Sequence, residues 1–335
     1  MVPEAAVEWG IAMASIRFLP RLVLVAVVVL GGTACAPGPP AEEPAFRVRL
    51  LTSATLSGRW ERATERGLGL IAAELDAEVA RLRAAGSAEQ RLVLGQLAGD
   101  GIDLVFCVGP EAEPLVFTEA AAFPDTVFVV VPGEIHGANI ASVAFMPEEA
   151  GYLAGAVATA FAGDGPAGVL RGPGRPWLER LEAGFAAGVQ AESGGGEPLV
   201  AAGPEGPWQL VQAGVEVALY ATDSPDRQVM AAVHDAGLLL VAADPWLLED
   251  HPDVVVAAVE VDAAEALLRV AREVRDRTFV GRVFAFDLGS GVLDVVLNSD
   301  LAALQGGDEV REVLERVRSE ITAGWVEIEE LGIGR

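Results

Sequence analysis

The sequence contains no lysine, and its 23 basic residues are all arginines. Lysine supplies the amine of Schiff-base enzymes, the phosphate-binding cation of P-loops and many general bases with a lowered pKa. These reaction classes are therefore excluded. The motifs Gly-x-Ser-x-Gly and His-Glu-x-x-His are also missing, so a hydrolase would have to use carboxylates alone. We expect a protein that is not an enzyme.

Cysteine and histidine are scarce, with two and three residues respectively. Cys107 lies in the apolar run Leu104–Val108 and is expected to be an inert core thiol. The other cysteine is Cys35, and two cysteines placed in this way do not predict a disulfide framework. The histidines, at positions 136, 234 and 251, share no spacing typical of a metal site, so we expect neither a metal nor another cofactor.

Positive charge is also low: 49 acidic residues against 23 basic ones give a formal net charge of −26. Such a surface repels phosphate backbones, so nucleic acid is excluded as a partner. The chain has 335 residues, of which 52% are hydrophobic. This is enough for one large domain or two ordinary ones, each with a substantial core.

Residues 1–34 have the layout of an export signal. Two arginines precede the apolar run Leu22–Leu30, which is shorter than the about 20 residues needed to span a membrane. The following segment, Gly32-Thr33-Ala34-Cys35, resembles a bacterial lipobox, so we expect cleavage before Cys35 and lipidation of its thiol. Residues 35–45 are rich in proline and indicate a tether. The alternative is an ordinary cleaved signal with an incidental cysteine.

From residue 46 onward, strand-like and helix-like segments alternate. The strand-like segments are near-continuous apolar runs, as is typical of parallel strands buried on both faces. This rhythm predicts a doubly wound α/β fold whose strands are divided between two sheets. The segments Val283–Asp287 and Val292–Leu297 are predicted to form a hairpin. Gly151 and Gly155, four residues apart, predict close packing between helices.

Three segments carry a family resemblance: Phe123–Val131, Asn139–Phe145 and Glu148–Gly155. Together with Leu181–Val189 and Asp287–Val292, they resemble the signature of the basic membrane protein family. Members of this family are substrate-binding lipoproteins of ABC importers, of the purine nucleoside receptor type. The similarity covers essentially the whole mature chain, and its most specific part is the block Glu-Glu-x-Gly-Tyr-Leu-Ala-Gly.

The resemblance implies a type I periplasmic-binding-protein fold, with two Rossmann-like lobes whose parallel sheets are joined by crossovers. The first lobe is expected to contain residues 46–145 plus about 242–280, and the second residues 146–241 plus about 281–335. A small-molecule ligand would bind in the cleft, at the carboxyl ends of the strands. The implied partners are that ligand and an ABC permease, and the implied location is the cell membrane, lipid-anchored and facing the periplasm or exterior.

The resemblance also suggests ligand-binding residues. The family's Ser-Phe-Asn-like motif falls on Arg59-Trp60-Glu61, so Trp60 keeps an aromatic face for stacking; packing at a helix start is the alternative. A family aspartate pair corresponds to Ala242 and Asp244, and Asp244 could instead cap a helix. A later family lysine corresponds to Glu260. The complete set of candidates is Ser53, Ser57, Trp60, Trp177, Asp223, Asp244 and Trp246.

These features predict an extracytoplasmic solute-binding lipoprotein that closes over a small neutral or cationic solute, nucleosides included. Several polar anchors of the family are replaced in this chain, which weakens the nucleoside assignment because buried hydrogen-bonding groups set specificity. The alternative on the same scaffold is a sensor or interaction lipoprotein that does not serve transport. A cleft filled by its own side chains would favour that alternative.

Overall fold

The strands of the protein form two separate six-stranded sheets. The structure is a computed structural model, and it describes residues 45–53, 59–97, 101–109, 111–300, 307–326 and 328. The strands are β1 (Arg47–Ser53), β2 (Glu78–Ala84), β3 (Leu104–Val108), β4 (Val127–Val131), β5 (Ile140–Phe145), β6 (Gly168–Arg171), β7 (Leu199–Ala202), β8 (Val217–Ala221), β9 (Leu239–Ala242), β10 (Val255–Val261), β11 (Val283–Phe286) and β12 (Leu293–Leu297).

The first sheet has the order β11-β5-β4-β3-β1-β2, and all its pairings are parallel. The second sheet has the order β12-β10-β9-β8-β6-β7, and it is parallel except where β12 pairs with β10. Within the described residues, the helices are α1 (Arg59–Leu75), α2 (Gly86–Leu97), α3 (Ala112–Glu119), α4 (Pro147–Ala162), α5 (Pro176–Ser193), α6 (Gly206–Gln212), α7 (Arg227–Ala236), α8 (Trp246–Asp250), α9 (Ala263–Arg275) and α10 (Gly307–Thr322).

Helices cover both faces of each sheet, and the apolar strands make this possible. In β1, Leu50 packs in the cluster that contains residues of α1 and α9, whereas the next residue, Leu51, packs with residues of α2 and α3. In β8, Leu219 packs with α4, α5 and α10, whereas Tyr220 packs on the opposite face, against α7. Successive strand residues point to opposite faces, so a strand buried on both faces must be apolar throughout.

The chain crosses between the two lobes after β5, after β10 and after β11. The first and third crossings are bonded to neighbouring elements: the Met146 N–H donates to the carbonyl of Phe286 at 3.0 Å, and the Leu288 N–H donates to Oε2 of Glu149 at 3.0 Å. This arrangement, with the predicted α/β architecture, confirms the type I periplasmic-binding-protein fold. Residues Pro44–Arg335 form one compact unit.

The division of the last strands between the lobes differs from the expectation. Residues 242–280 were expected in the first lobe, but β10 lies in the second sheet; residues 281–335 were expected in the second lobe, but β11 lies in the first sheet. The predicted hairpin is therefore wrong, because β11 and β12 belong to different sheets. The chain enters the second sheet from the carboxyl end of β11, so β12 runs in the opposite direction to its neighbour β10.

The predicted close helix packing is confirmed for α4 and α5. A Cβ added at Gly151 would meet the backbone of Leu181, and one added at Gly184 would meet the backbone of Glu148. The glycines therefore let the two helix backbones approach each other directly. None of the helices in the described ranges is both long and apolar enough to cross a bilayer.

Candidate functional site

The carboxyl ends of the parallel strands carry most of the polar candidates. Ser53 ends β1 in the first lobe, while Asp223 and Asp244 follow β8 and β9 in the second. Ligands of open α/β sheets bind at these ends, because the loops there leave a crevice. The three chain crossings lie at the same edge, so the two lobes face each other there.

A pocket of about 220 Å³ opens between the lobes. The first lobe contributes residues of α1, among them Trp60 and Arg62, and the second contributes residues of α8 and the end of β10, among them Trp246 and Glu260. This volume is below the about 300–1,000 Å³ of pockets for drug-sized ligands. The pocket is therefore smaller than a typical site for drug-sized ligands.

Trp60 is half-buried and connects the pocket wall to the crossing segments. Its ring centroid lies 5.6 Å from that of Phe145, which in turn lies 6.2 Å from that of Phe286. Phe145 and Phe286 are the last residues of β5 and β11, immediately before two of the crossings. Trp60 thus contacts the end of β5, and through Phe145 the end of β11, where the chain passes between the lobes.

The segment that follows Trp60 is anchored by charge. Glu61 pairs with Arg81 of β2 and lies 3.1 Å from a guanidinium nitrogen of Arg83. The hydrogen bond from Arg81 lowers the pKa of Glu61, so this carboxylate stays ionised across the neutral range. The start of α1 is thereby fixed to the first sheet.

Two contacts cross the pocket from α1 to the second lobe and to the second crossing. The guanidinium of Arg62 lies over the ring of Trp246, 4.2 Å from its centroid. A side-chain nitrogen of Arg66 lies 2.9 Å from Oδ2 of Asp262, the residue between β10 and α9. A guanidinium over an indole face is attracted by the ring quadrupole. These contacts hold the lobes in their present arrangement.

Asp244 is hydrogen-bonded to the backbone of Trp246. Asp244 is only 6% exposed, and its Oδ1 accepts a hydrogen bond of 3.1 Å from the Trp246 backbone N–H. The carboxylate therefore holds the backbone at the start of α8, whose N-cap residue is Pro245, and a role of Asp244 as a ligand hydroxyl acceptor stays a prediction. Trp246 is 37% exposed and forms part of the pocket wall.

The pocket carries more negative than positive charge. Its lining includes Arg62, Arg66, Glu249, Glu260 and Asp262. Asp262 pairs with Arg66, whereas Glu249 and Glu260 form no ion pair with any residue that the structure describes. Two carboxylates are thus available to accept hydrogen bonds or to balance a cation.

On the first lobe, the structure adds Glu111, which sequence reasoning missed. Gly109, after β3, has a φ of +128°, a conformation that favours glycine, and a Cβ there would lie 3.3 Å from the Cβ of Ser53 and 3.7 Å from Oε2 of Glu111. Ser53 is buried, and Oε2 of Glu111 is a buried atom without a hydrogen-bond partner among the described residues. The position of a glutamate just after a buried strand could have indicated it.

The other candidates lie elsewhere or are engaged. Oδ2 of Asp223 lies 2.8 Å from Nε of Arg175, so the pair joins the loop after β8 to the start of α5. Trp177 packs against the core of the second lobe. Ser57 and Cys35 lie outside the described residues.

Comparisons with known proteins agree with this geometry. The sequence profile of the family described as ABC transporter substrate-binding protein, PnrA-like, matches residues 51–194. A comparison with curated proteins finds no match.

Several solved structures share the fold. A transcriptional activator of the comK gene from Bacillus halodurans is similar with a TM-score of 0.69 and 22% identity, over 83% of this chain and 98% of that one. An ABC transporter solute-binding protein from Conexibacter woesei DSM 14684 has a TM-score of 0.67 and 18% identity, over 84% and 98%. A solute-binding protein of an ABC transporter system from Aeropyrum pernix K1 has a TM-score of 0.63 and 18% identity, over 84% and 92%.

These structural likenesses show the fold, and over residues 51–194 the chain is similar to the family of PnrA-like ABC transporter substrate-binding proteins, which is the resemblance that the sequence predicted.

Proposed function

We propose that the protein is an extracytoplasmic solute-binding lipoprotein of an ABC importer that captures a small neutral or cationic solute between its lobes. The observation that carries the proposal is the interlobe pocket, where Trp60 and Trp246 lie close to Glu249 and Glu260. These two carboxylates form no ion pair with another described residue. Nucleosides are included among the candidate ligands, because each has an aromatic base and hydroxyl donors.

The recognition chemistry follows from the lining. Stacking of a base on an aromatic side chain contributes about 1–3 kcal/mol, and Trp60 and Trp246 are the aromatic residues of the lining. Glu249 and Glu260 can accept hydrogen bonds from hydroxyl or amino groups or balance a positive charge. A phosphorylated ligand would meet these carboxylates and should bind more weakly than its uncharged parent.

Capture would proceed by rotation of the lobes about the three crossings. The contact of Arg62 with Trp246 and the ion pair of Arg66 with Asp262 span the cleft on one side and would have to adjust when a ligand enters. Since Trp60 contacts Phe145 beside a crossing, a stacked ligand would favour the closed arrangement. The closed form would then dock on the permease.

Attachment to the membrane through Cys35 belongs to the same proposal. Full-length protein expressed with radiolabelled fatty acid should incorporate the label, and Cys35→Ala should abolish incorporation. Equal labelling of the variant would leave an ordinary cleaved signal as the explanation.

The ligand can be found with a thermal-shift screen of the chain from Pro44 to Arg335, the compact unit. The panel contains nucleosides, the matching nucleotides, sugars and cationic metabolites. A ligand at one hundred times its Kd should stabilise the protein by about 2.7 kcal/mol. Trp60→Ala should remove most of that shift, and Trp208→Ala, on the exposed surface of α6, should not.

Two outcomes would contradict the proposal. Tighter binding of a nucleotide than of its nucleoside would refute the charge argument. A ligand shift that survives both Trp60→Ala and Glu260→Gln would place binding outside the pocket.

The sensor alternative remains a defined second candidate, because one structure with the same fold is described as a transcriptional activator. Among the residues that the structure describes, the side chains of the two lobes leave a pocket between them, which supports solute capture. Measuring uptake of the identified solute by cells with and without the gene distinguishes the importer component from the sensor. Unchanged uptake, with binding intact, would favour the sensor.

A further inference from the structure

Two of the three histidines meet on the second lobe, away from the carboxyl ends of the strands. His234 lies in the last turn of α7, and His251 directly follows α8. Nε2 of His234 and Nδ1 of His251 are 3.1 Å apart. His234 precedes the amino end of β9 and His251 precedes the amino end of β10. The pair therefore lies at the opposite edge of the second sheet from the pocket.

A carboxylate orients the first of these rings. Oδ2 of Asp253 lies 3.0 Å from Nδ1 of His234. A carboxylate in this position keeps the proton on Nδ1, so the lone pair of Nε2 is directed at His251. Proteins use the same carboxylate–histidine contact to fix the tautomer and the direction of a metal-binding imidazole.

The separation of the two nitrogens suits a shared ion. With metal–nitrogen bonds of about 2.0–2.1 Å, two imidazole nitrogens on one ion are about 2.9 Å apart at a right angle and about 3.3 Å apart at a tetrahedral angle. The observed 3.1 Å lies between these values. Without an ion, the same distance holds a hydrogen bond donated by Nδ1 of His251, and binding an ion moves that proton to Nε2 of the same ring or to water.

The backbone around the pair is held in place. The His251 N–H donates to the carbonyl of Leu247 at 2.8 Å, and the His251 carbonyl accepts from the Val255 N–H at 3.1 Å. The buried amide of Asn298 donates to the carbonyls of Pro252 and Val255, at 2.8 and 2.9 Å. Little conformational entropy would therefore be lost when an ion binds.

The local charge favours a cation. Residues 234–235 and 250–253 include three carboxylates and no arginine. The side chains of His234 and Asp253 are 33% and 66% exposed, so water can reach the pair. Imidazole ligands suit zinc, copper and nickel.

We propose that His234 and His251, oriented by Asp253, form a binding site for a divalent transition-metal ion, with water completing its coordination. Among the described residues, no group of three or more histidine, cysteine or acidic side chains is arranged to hold a metal. The two imidazoles would therefore be the ion's only protein ligands among the described residues.

Titration calorimetry of the untagged chain from Pro44 to Arg335 with Zn²⁺ and with Ni²⁺ tests the site. One equivalent should bind to the wild type, and both His234→Ala and His251→Ala should abolish that binding. Asp253→Asn should weaken it about 10–100-fold, since it removes the orienting carboxylate. The exposed third histidine supplies the matched control: His136→Ala should bind like the wild type.

Absence of binding by the wild type, or an equal loss in His136→Ala, would overturn the proposal. If a variant fails to fold, a spectroscopic measurement on the wild type alone still tests the site. Electron paramagnetic resonance of bound Cu²⁺ should show hyperfine splitting from two imidazole nitrogens, and a spectrum with oxygen ligands only would also overturn it. Neither result bears on solute capture in the pocket.

Discussion

Gly155→Ala is the sharpest test of the packing that builds the second lobe. Gly155 lies in α4 where that helix meets α5. A Cβ added there would lie 2.9 Å from the backbone nitrogen of Val189 and closer still to the carbonyl oxygen of Phe185. Both neighbours are backbone atoms of a helix, so they cannot turn away as a flexible side chain would.

Two opposing effects set the magnitude. Replacing glycine by alanine inside a helix favours folding by about 0.5–1 kcal/mol. Overpacking a well-packed interface costs about 1–3 kcal/mol, and rigid backbone on the opposite side puts this substitution at the upper end. The net loss is about 2 kcal/mol, which corresponds to a fall in Tm of about 4–8 °C for a large domain.

Thermal and chemical denaturation, followed by circular dichroism, measure this loss. The matched control is Gly69→Ala in α1, where an added Cβ meets nothing within 4 Å. It should raise the free energy of unfolding by about 0.5–1 kcal/mol. A Gly155→Ala variant as stable as the wild type, or an equal loss in the control, would refute the close contact of α4 with α5.

Three further predictions rest on other parts of the molecule. Burial raises the pKa of Glu149, so the folded protein binds its proton more tightly than the unfolded chain and loses stability as the pH rises above about 4.5. The Tm of Glu149→Gln relative to wild type should therefore rise between pH 4.5 and pH 7, whereas that of the exposed Glu309→Gln should not. Parallel plots of Tm against pH for Glu149→Gln and wild type would contradict this. Burial also raises the pKa of the Cys107 thiol to about 12, so Ellman's reagent should leave the native Pro44–Arg335 chain unmodified at pH 8 and modify it fully in guanidinium. Arg62→Ala removes a contact worth about 0.5–1 kcal/mol that crosses the cleft to Trp246, so small-angle scattering should show a larger radius of gyration without ligand, and an unchanged radius would argue against a role in holding the lobes.

Local patterns were sufficient for the alternation of apolar strands with helices and for the fold class. The run Leu104–Val108 is apolar at every position because both of its faces are covered, and all five residues are buried. The spacing of Gly151 and Gly155 likewise predicted a helix contact that the structure contains. Such features depend on residues that are close in sequence, so periodicity alone reveals them.

The assignment of β10 and β11 to their sheets could not be obtained in this way. An apolar run shows that a strand is buried, but its hydrogen-bonding partner is chosen by distant segments. β11 pairs with β5 and β12 pairs with β10. The chain crossings separate β11 from β12, and nothing in their own residues distinguishes that arrangement from a hairpin.

Composition and order along the chain thus specified an α/β protein with apolar parallel strands, an excess of negative charge and the family resemblance, since each of these is a local or summed property. Tertiary structure alone brought Arg62 to Trp246 across the cleft and His234 to within 3.1 Å of His251, which lies 17 residues away. The first contact joins two helices and the second joins α7 to the residue after α8, so their geometry depends on how the helices pack against the sheets rather than on any spacing in the sequence.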